Sequence, residues 1–238
     1  MDAREIAPGL WRWTASHPAW TPENDRPDGW GRWVGSVYYE PDPPGDALVL
    51  IDPLAPAEGT DDAASFWAAL ERDVSRAALP LAILVSNRFH GRSAREIYRR
   101  FAGSIGATVH VPAGAEAHVS CEPTHLFQPG DALPGGVEPH FLEGLVEPEV
   151  AFFLRPHRAL VFADALLGAG AGAVRVAPPS WGDGEAGRAR YDERFRASLE
   201  RLLVLDPAML LTSHGEPALE RGAERLAAAL RGPAWGES

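Results

Sequence analysis

Short apolar runs alternate with segments rich in proline, glycine and aspartate along the first part of the chain. Residues 47–51 and 81–85 are continuously apolar and are bounded by turn residues, the pattern of strands buried on both faces. Residues 9–14 and 33–39 alternate aromatic and small or β-branched residues, and they predict two further strands joined by a long loop. We expect the strands at 9–14, 33–39 and 47–53 to form one antiparallel sheet.

Helical periodicity first appears after Thr60, which can serve as an N-cap. Phe66, Trp67, Leu70 and Val74 recur at helical spacing and predict a helix over residues 61–77.

Three more helices are predicted further along the chain. Ser93 and Glu96 form a capping-box pattern, which opens a helix that Gly103 is expected to close. Charged helical sequence follows at 188–205, and an Ala/Leu/Arg-rich helix is predicted at 218–231.

The middle of the chain predicts a second group of strands separated by proline and glycine turns. These strands are expected at residues 108–111, 125–127, 137–142, 150–154 and 159–162. Their spacing suggests a second meander; residues 168–172 read as a loop, and a short strand is predicted at 209–212. A proline-rich turn is predicted at 41–46. The element order predicts an α/β (α+β) fold in which two sheets pack together between outer helices, as one domain of residues 1–238.

Composition narrows the class of protein. The chain of 238 residues is 45% hydrophobic and 23% charged, which is typical of a globular protein. Its formal charge of -11 argues against a nucleic-acid partner, and no apolar run approaches the ~20 residues of a membrane-spanning helix. The single cysteine, Cys121, excludes an internal disulfide, and the N-terminus lacks a signal-peptide pattern, so we expect a cytoplasmic protein. All basic residues are arginine, which excludes lysine as a nucleophile or base.

Candidate metal ligands lie where three predicted strands end. Asp164 follows one strand, His214 follows another, and residues 86–92 connect a buried strand to a helix. Strand ends of this kind are common places for a site because loops converge there.

The order of these segments resembles that of the metallo-β-lactamase fold over nearly the whole chain. The similar segments are Leu50-Ile51-Asp52-Pro53, residues 84–96, Phe162-Ala163-Asp164 and Thr212-Ser213-His214-Gly215. The resemblance implies a four-layer αββα sandwich and hydrolysis of esters, lactones, thioesters, amides or phosphodiesters with one or two metals at the sheet ends.

Most metal-ligand positions of that family are replaced in this chain. The family motif His-x-His-x-Asp-His corresponds to a stretch with Asn87, Phe89, Gly91 and Arg92 at the four ligand positions. Leu145 stands where a further histidine is expected. By this resemblance, only the bridging aspartate and the last histidine are kept, as Asp164 and His214. We therefore do not expect the usual dinuclear centre.

The remaining residues allow several arrangements. Arg92 could replace the second metal by forming a buried ion pair with Asp164. His90 either turns inward, giving a mononuclear site with Asp164 and His214 for which zinc is the expected metal, or points away to a loop carbonyl. A metal-free site would use His90 or His214 as general base, Asp164 to orient an imidazole and Arg92 to stabilise an oxyanion.

Other candidates are weaker. His118, Cys121 and His125 resemble half of a zinc site, but no fourth ligand is evident.

Three aromatic residues are candidates for the wall of a cavity. Trp20 and Trp30 lie in a loop that could cover the site, and Trp181 could flank the same cavity.

Two functions are compatible with the sequence. The first is a divergent hydrolase of a small ester, lactone or related acyl compound, with zero or one metal and with His90, Arg92, Asp164 and His214 as catalytic candidates. The second is a non-catalytic pseudoenzyme that binds a ligand or protein partner. Hydrogen bonds among the four candidates around an open cavity would favour the enzyme.

Overall fold

The computed structural model describes residues 1–42, 45–182 and 184–237, so two residues of the predicted turn at 41–46 lie outside it. The first sheet has seven strands that lie side by side in chain order. They are β1 (Asp2–Ala7), β2 (Leu10–Ser16), β3 (Trp33–Tyr39), β4 (Leu48–Ile51), β5 (Leu81–Leu84), β6 (Thr108–Pro112) and β7 (His125–Phe127). Pairing is antiparallel from β1 to β4 and parallel from β4 to β7. The predicted antiparallel unit β2-β3-β4 is therefore confirmed, and β1 is an additional edge strand.

The second sheet has four strands, and a separate hairpin follows its third strand in the sequence. The strands are β8 (Glu138–Leu142), β9 (Glu149–Leu154), β10 (Ala159–Phe162), the hairpin strands β11 (Leu166–Gly170) and β12 (Ala173–Val176), and β13 (Met209–Thr212). The sheet order is β13-β10-β9-β8, and β10 and β13 are parallel neighbours. Two expectations were wrong: β6 and β7 extend the first sheet by parallel pairing, and the predicted loop at 168–172 belongs to the hairpin.

Five α-helices are present in the described part of the chain. They are α1 (Asp61–Ala77), α2 (Ala94–Ile105), α3 (Gly184–Arg190), α4 (Arg196–Glu200) and α5 (Gly222–Arg231). A π-helical turn at Tyr191–Phe195 joins α3 to α4, and a 3₁₀ turn at Arg201–Leu205 follows α4. No helix among the described residues has the length and apolar character needed to cross a membrane.

The helix ends test the predicted capping signals. Thr60 caps α1, because its side chain accepts a hydrogen bond from the Ala63 N–H at 3.1 Å. Ser93 does not cap α2; its hydroxyl accepts from the Ala55 N–H at 2.9 Å, so it ties the start of the helix to the loop after β4. The helix ends at Gly106, whose φ of +77° suits the left-handed C-cap, and not at Gly103.

The last helix starts later than predicted. Ala218 pairs with Leu210 at the edge of the second sheet, and α5 begins only at Gly222.

Three apolar clusters place the elements in layers. Between the sheets, Val49, Ile51 and Leu84 of the first sheet pack with Phe152 and Val161 of the second. A second cluster joins the outer face of the first sheet to α1 and α2, and a third joins the outer face of the second sheet to the helical segments after residue 184. The result is the predicted four-layer αββα sandwich.

Candidate active site

His90, Asp164 and His214 come together where three strands end. His90 lies in the loop between β5 and α2, Asp164 follows β10, and His214 follows β13. Because β10 and β13 are parallel neighbours, their carboxyl ends deliver Asp164 and His214 to the same edge of the second sheet. All three side chains are buried. The predicted grouping of these residues is therefore present.

The three side chains are joined through one carboxylate oxygen. Asp164 Oδ1 lies 3.2 Å from His90 Nε2 and 3.1 Å from His214 Nε2. The other oxygen, Asp164 Oδ2, accepts a hydrogen bond from Asn87 Nδ2 at 2.8 Å. Asn87, at a position where the resemblance implied a metal ligand, is thus a neutral donor that holds the aspartate. Of the two orientations that the sequence allowed for His90, the structure has the inward one.

Asp52 supports His90 from behind. His90 Nδ1 donates to Asp52 Oδ2 at 2.8 Å, and the same carboxylate accepts the Ser86 N–H at 2.9 Å and the Ser86 hydroxyl at 2.5 Å. Asp52 thus binds a loop amide near the site. Its role as the partner of an imidazole was not predicted.

Arg92 does not form the predicted ion pair with Asp164. Its Nη1 donates to the carbonyls of Gly35 at 3.2 Å and Asp52 at 3.1 Å, and its Nη2 lies 3.2 Å from His90 Nε2. In the described contacts, no salt bridge joins the guanidinium to a carboxylate. The reason is geometric: the imidazole of His90 occupies the position beside Asp164, so the guanidinium lies behind it.

Two residues of the site have backbone conformations that residues other than glycine rarely adopt. Arg92 has a φ of 33° and Asp52 a φ of 48°, both in the left-handed region. Strained residues of this kind persist where the surrounding contacts fix them, and they cluster at functional sites. Here the contacts are the Arg92 bonds to the carbonyls of Gly35 and Asp52 and the Ser86 bonds to Asp52.

The pKa values of the two histidines are shifted in opposite directions. Burial and Arg92 act to lower the pKa of His90, but Asp164 and Asp52 outweigh them and raise it to about 9. Burial lowers the pKa of His214 below its usual value despite the favourable charge of Asp164. Burial alone would raise the pKa of Asp164, but His90 and His214 hold it well below the usual value. At neutral pH the site therefore contains a cationic His90, an anionic Asp164 and a neutral His214.

Glu149 is a buried carboxyl group that sequence reasoning missed. Its Oε1 accepts the backbone N–H groups of Asp164 at 2.9 Å and Ala165 at 2.8 Å, and its Oε2 has no hydrogen-bond partner among the described residues. Burial, followed by the charge of Asp164, raises its pKa to about 8. The available signal was a single acidic residue directly before the apolar run of β9. Glu149 fixes the backbone from which Asp164 extends.

A cavity of about 390 Å³ opens above His90, Asp164 and His214, and this volume is typical of small-molecule sites. Its floor contains His90, Arg92, Asp164 and His214. Its walls are His17, Arg26, Trp30, Phe89, Val146 and Trp181. The predicted wall residues Trp30 and Trp181 pack on the ring of His214, with centroid distances of 5.8 and 5.7 Å.

Several other expectations are corrected by this arrangement. Trp20 does not line the cavity, whereas His17, which no sequence pattern indicated, does. Leu145, at the expected position of a further family histidine, is in the core, and Val146 lines the cavity.

The predicted half zinc site is not assembled. Among the described residues, His118, Cys121 and His125 do not form a group that could hold a metal.

The donor types of the His90–Asp164–His214 group fit a single divalent metal, since their ligand atoms lie within 4.8 Å of one another. Their surroundings do not fit. Arg92 Nη2 lies 3.2 Å from the His90 nitrogen that would bind the ion, so a metal would sit beside a permanent cation. A metal-bound imidazole usually donates its other N–H; His90 Nδ1–H donates to Asp52, but His214 Nδ1 has no partner among the described residues. We therefore assign no reaction step to a metal.

Comparisons with known proteins identify the fold. The chain superimposes on a metallo-β-lactamase from Pontibacter korlensis with a TM-score of 0.65 and 14% identity, over 98% of this chain and 99% of that one. For a β-lactamase domain protein from Burkholderia ambifaria the TM-score is 0.66, with 16% identity over 96% and 71% of the two chains. For a metallo-β-lactamase family protein from Thermus thermophilus the TM-score is 0.58, with 19% identity over 94% of this chain and 79% of that one.

These likenesses show that the chain has the metallo-β-lactamase fold. No protein-family model matches the sequence, and no curated protein matches it either. The fold therefore defines the class, and the function has to be argued from the site.

Proposed function

We propose that this protein hydrolyses a small ester, lactone or related acyl compound without a metal ion. The observation that supports this most is the sharing of Asp164 Oδ1 by His90 Nε2 and His214 Nε2 at the floor of an open cavity. An anion placed between two imidazoles of different pKa keeps one of them cationic and leaves the other neutral, so that it can act as a base. The hydrolase-like fold of the structural neighbours is consistent with this class of reaction.

His214 is the general base in this proposal. Its Nε2–H donates to Asp164, which leaves the Nδ1 lone pair, itself buried, without a partner among the described residues. The reacting water therefore has to enter beside Nδ1 when the substrate binds. The pKa of His214 is lowered, first by burial, so the imidazole is neutral and can accept a proton near pH 7. Asp164 orients the ring and stabilises the imidazolium that forms.

Arg92 and His90 form the positive pole of the site. Arg92 is held by two backbone carbonyls, so it is oriented before the substrate arrives. His90 remains protonated because its pKa is about 9, and its charge adds to that of Arg92. Together they favour the oxyanion of a tetrahedral intermediate.

The proton transfers balance without another reactant. A water molecule gives a proton to His214 Nδ1 as its oxygen bonds to the acyl carbon, and the carbonyl electrons move to the oxygen facing Arg92. When the intermediate collapses, the bond to the leaving group breaks and the leaving oxygen takes the proton from His214. The products are a carboxylic acid and an alcohol.

Hydrolysis of short aromatic and aliphatic esters and lactones tests the proposal, with elemental analysis of protein purified without chelator. We expect ester turnover by metal-free protein and a loss of at least 100-fold in His214→Ala. His118→Ala, which changes an exposed histidine outside the cavity, is the matched control. Stoichiometric metal that is lost in His214→Ala would overturn the metal-free reaction in favour of a mononuclear hydrolase.

A non-catalytic role in ligand binding is the second candidate. It is favoured by the replacement of predicted ligand positions with Phe89 and Gly91, neither of which has catalytic chemistry. If ligands bind in the cavity but no ester, lactone or thioester is turned over, this second function is the correct one.

A further inference from the structure

The cavity has the opposite electrostatic character to the rest of the protein. The chain has a formal charge of -11, yet the charged groups of the lining are Arg26, Arg92 and the protonated His90 against one carboxylate, Asp164, while His17 and His214, whose pKa values are lowered, are neutral. The charge of Asp164 is already shared between two imidazoles and the amide of Asn87. A negative ligand group would therefore enter a site whose available partners are cationic.

Arg92 has hydrogen-bonding capacity left for a ligand. A guanidinium has five N–H donors, and the described contacts of Arg92 are two carbonyls and the approach to His90 Nε2. Its Nε is buried and has no partner in the described part of the chain. A half-buried guanidinium whose described hydrogen-bond partners include no carboxylate is suited to a planar anion such as a carboxylate.

The walls define the shape of the rest of the ligand. Trp30 and Trp181 both pack on His214 at the cavity floor, and Phe89, at the rim, is 57% exposed. The two tryptophan loops are tied together, because Trp181 Nε1 donates to the Asp28 carbonyl at 2.7 Å and Ser180 donates to the Asp28 carboxylate at 2.8 Å. Aromatic walls fixed in this way favour a flat apolar group.

We propose that the cavity binds a small aromatic or similarly flat carboxylate, with its carboxylate at Arg92 and its apolar body between Trp30 and Trp181. This assignment rests on the proposed function, since hydrolysis of an ester leaves the acyl group as a carboxylate at the oxyanion position. The preferred substrates are then esters and lactones of flat apolar acids. The acid product is a ligand in its own right.

Binding of phenylacetate tests this assignment, with phenylacetamide as a neutral molecule of nearly the same shape. Titration calorimetry measures the Kd, and quenching of tryptophan fluorescence reports contact with Trp30 and Trp181. We expect phenylacetate to bind at least tenfold more tightly than phenylacetamide, and Arg92→Gln to remove that difference. Arg100→Gln changes the charge equally at a residue of α2 that is outside the cavity lining and is paired with Glu71, and it should bind like the wild type.

The outcomes separate this inference from the proposed function. Equal binding of acid and amide, tighter binding of phenethylamine, or no binding of any of them overturns the inference even if esters are hydrolysed. Tight phenylacetate binding without turnover of methyl phenylacetate keeps the inference and rejects the hydrolase. If Arg92→Gln does not fold, Trp30→Leu in the wild-type background tests the same site, because it should weaken phenylacetate binding at least fivefold; unchanged binding would contradict the assignment.

Discussion

His90 donates its Nδ1–H to Asp52 Oδ2 at 2.8 Å, and this bond determines which nitrogen of His90 faces the cavity floor. The carboxylate of Asp52 can only accept, so Nδ1 must bear the proton and Nε2 is directed to Asp164. Ser86 holds the same carboxylate through its backbone N–H and its hydroxyl. Asp52, which follows β4, therefore determines the orientation of His90 in the loop after β5.

Asp52→Asn should lower the pKa of His90 below about 9, because one of the two carboxylates that raise it loses its charge. Asparagine tolerates the left-handed φ of 48° at this position, so the backbone should be kept. Loss of a hydrogen bond to a charged group should reduce the free energy of unfolding by about 1.5–3 kcal/mol. Titration of the imidazole by nuclear magnetic resonance measures the pKa. An unchanged value would show that Asp52 does not stabilise the cation.

The pH profile of kcat/KM should be bell-shaped for a neutral ester. The acid limb reflects His214, whose pKa is lowered below 6.5; activity falls as the pH drops below that pKa because the base becomes protonated. The alkaline limb reflects His90, and activity falls as the pH rises through about 9 because the cation is lost. In Asp52→Asn the alkaline limb should move to lower pH while the acid limb stays. An acid limb centred above pH 7 would exclude His214 as the base.

The sequence was sufficient for much of the fold because its signals are local. The apolar runs of β4 and β5 and the cap at Thr60 each depend on a few neighbouring residues, and the structure has them as predicted. The assignment of β6 and β7 to the first sheet depends on parallel pairing with β5, which is a non-local relationship. No periodicity within those strands could have identified their partner.

For the site as well, local features of the sequence were predicted and non-local contacts were not. His90, Asp164 and His214 were identified by residue type and by their positions after strands, and the structure brings them together. The prediction of an Arg92–Asp164 ion pair was wrong. The residue types suit such a pair, but in the folded chain the imidazole of His90 lies next to Asp164 and Arg92 lies next to His90. The roles of Asn87 and Glu149 depend on hydrogen bonds to Asp164 across 77 and 15 residues, which the sequence alone cannot indicate.

Glu149→Gln should make the protein relatively more stable as the pH rises. The pKa of Glu149 is raised from 4.5 to about 8, so the folded state keeps a proton that the unfolded state loses, and wild-type stability falls as the pH rises between these values. Glutamine keeps an oxygen for the Asp164 and Ala165 N–H groups and does not titrate. The free energy of unfolding of the variant relative to wild type should therefore increase by roughly a few kcal/mol between pH 5 and about pH 8.5.

Urea denaturation at several pH values measures this difference. Glu58→Gln, which changes an exposed carboxylate, is the control and should show no comparable trend. A difference that does not change with pH would mean that Glu149 titrates normally in the folded protein.

Phe89→Ala should affect substrate binding and leave stability nearly unchanged. The ring is 57% exposed at the cavity rim, so its removal should change the free energy of unfolding by about 0.5 kcal/mol or less. We expect KM for an aromatic ester to rise about threefold to tenfold while kcat changes less than twofold, because the ring has no group that donates or accepts a proton. Leu126→Ala, at a residue 49% exposed on β7, is the matched control and should leave KM unchanged. A fall in kcat with constant KM would place Phe89 in the chemical step.

Arg92→Lys should separate the charge of Arg92 from its shape. Lysine keeps the positive charge and has the same substituents at Cβ, so the strain of a φ of 33° is unchanged. A single ammonium group cannot reproduce the planar fork that binds the carbonyls of Gly35 and Asp52 and approaches His90. Loss of an oriented oxyanion donor should lower kcat by about 10²–10³, with a much smaller change in KM for a neutral ester.

The alternative is that Arg92 only holds β3 and β4 to the loop after β5. In that case Arg92→Lys should lower the free energy of unfolding, by about 1–3 kcal/mol for the lost hydrogen bonds, while kcat of the folded fraction stays within twofold of wild type. Urea denaturation and active-site titration on the same sample measure both quantities. Addition of millimolar guanidinium provides a second readout, because it should restore part of kcat in Arg92→Gly only if the cation acts on the reacting atoms. Glycine is the appropriate background, since it accepts the positive φ without strain.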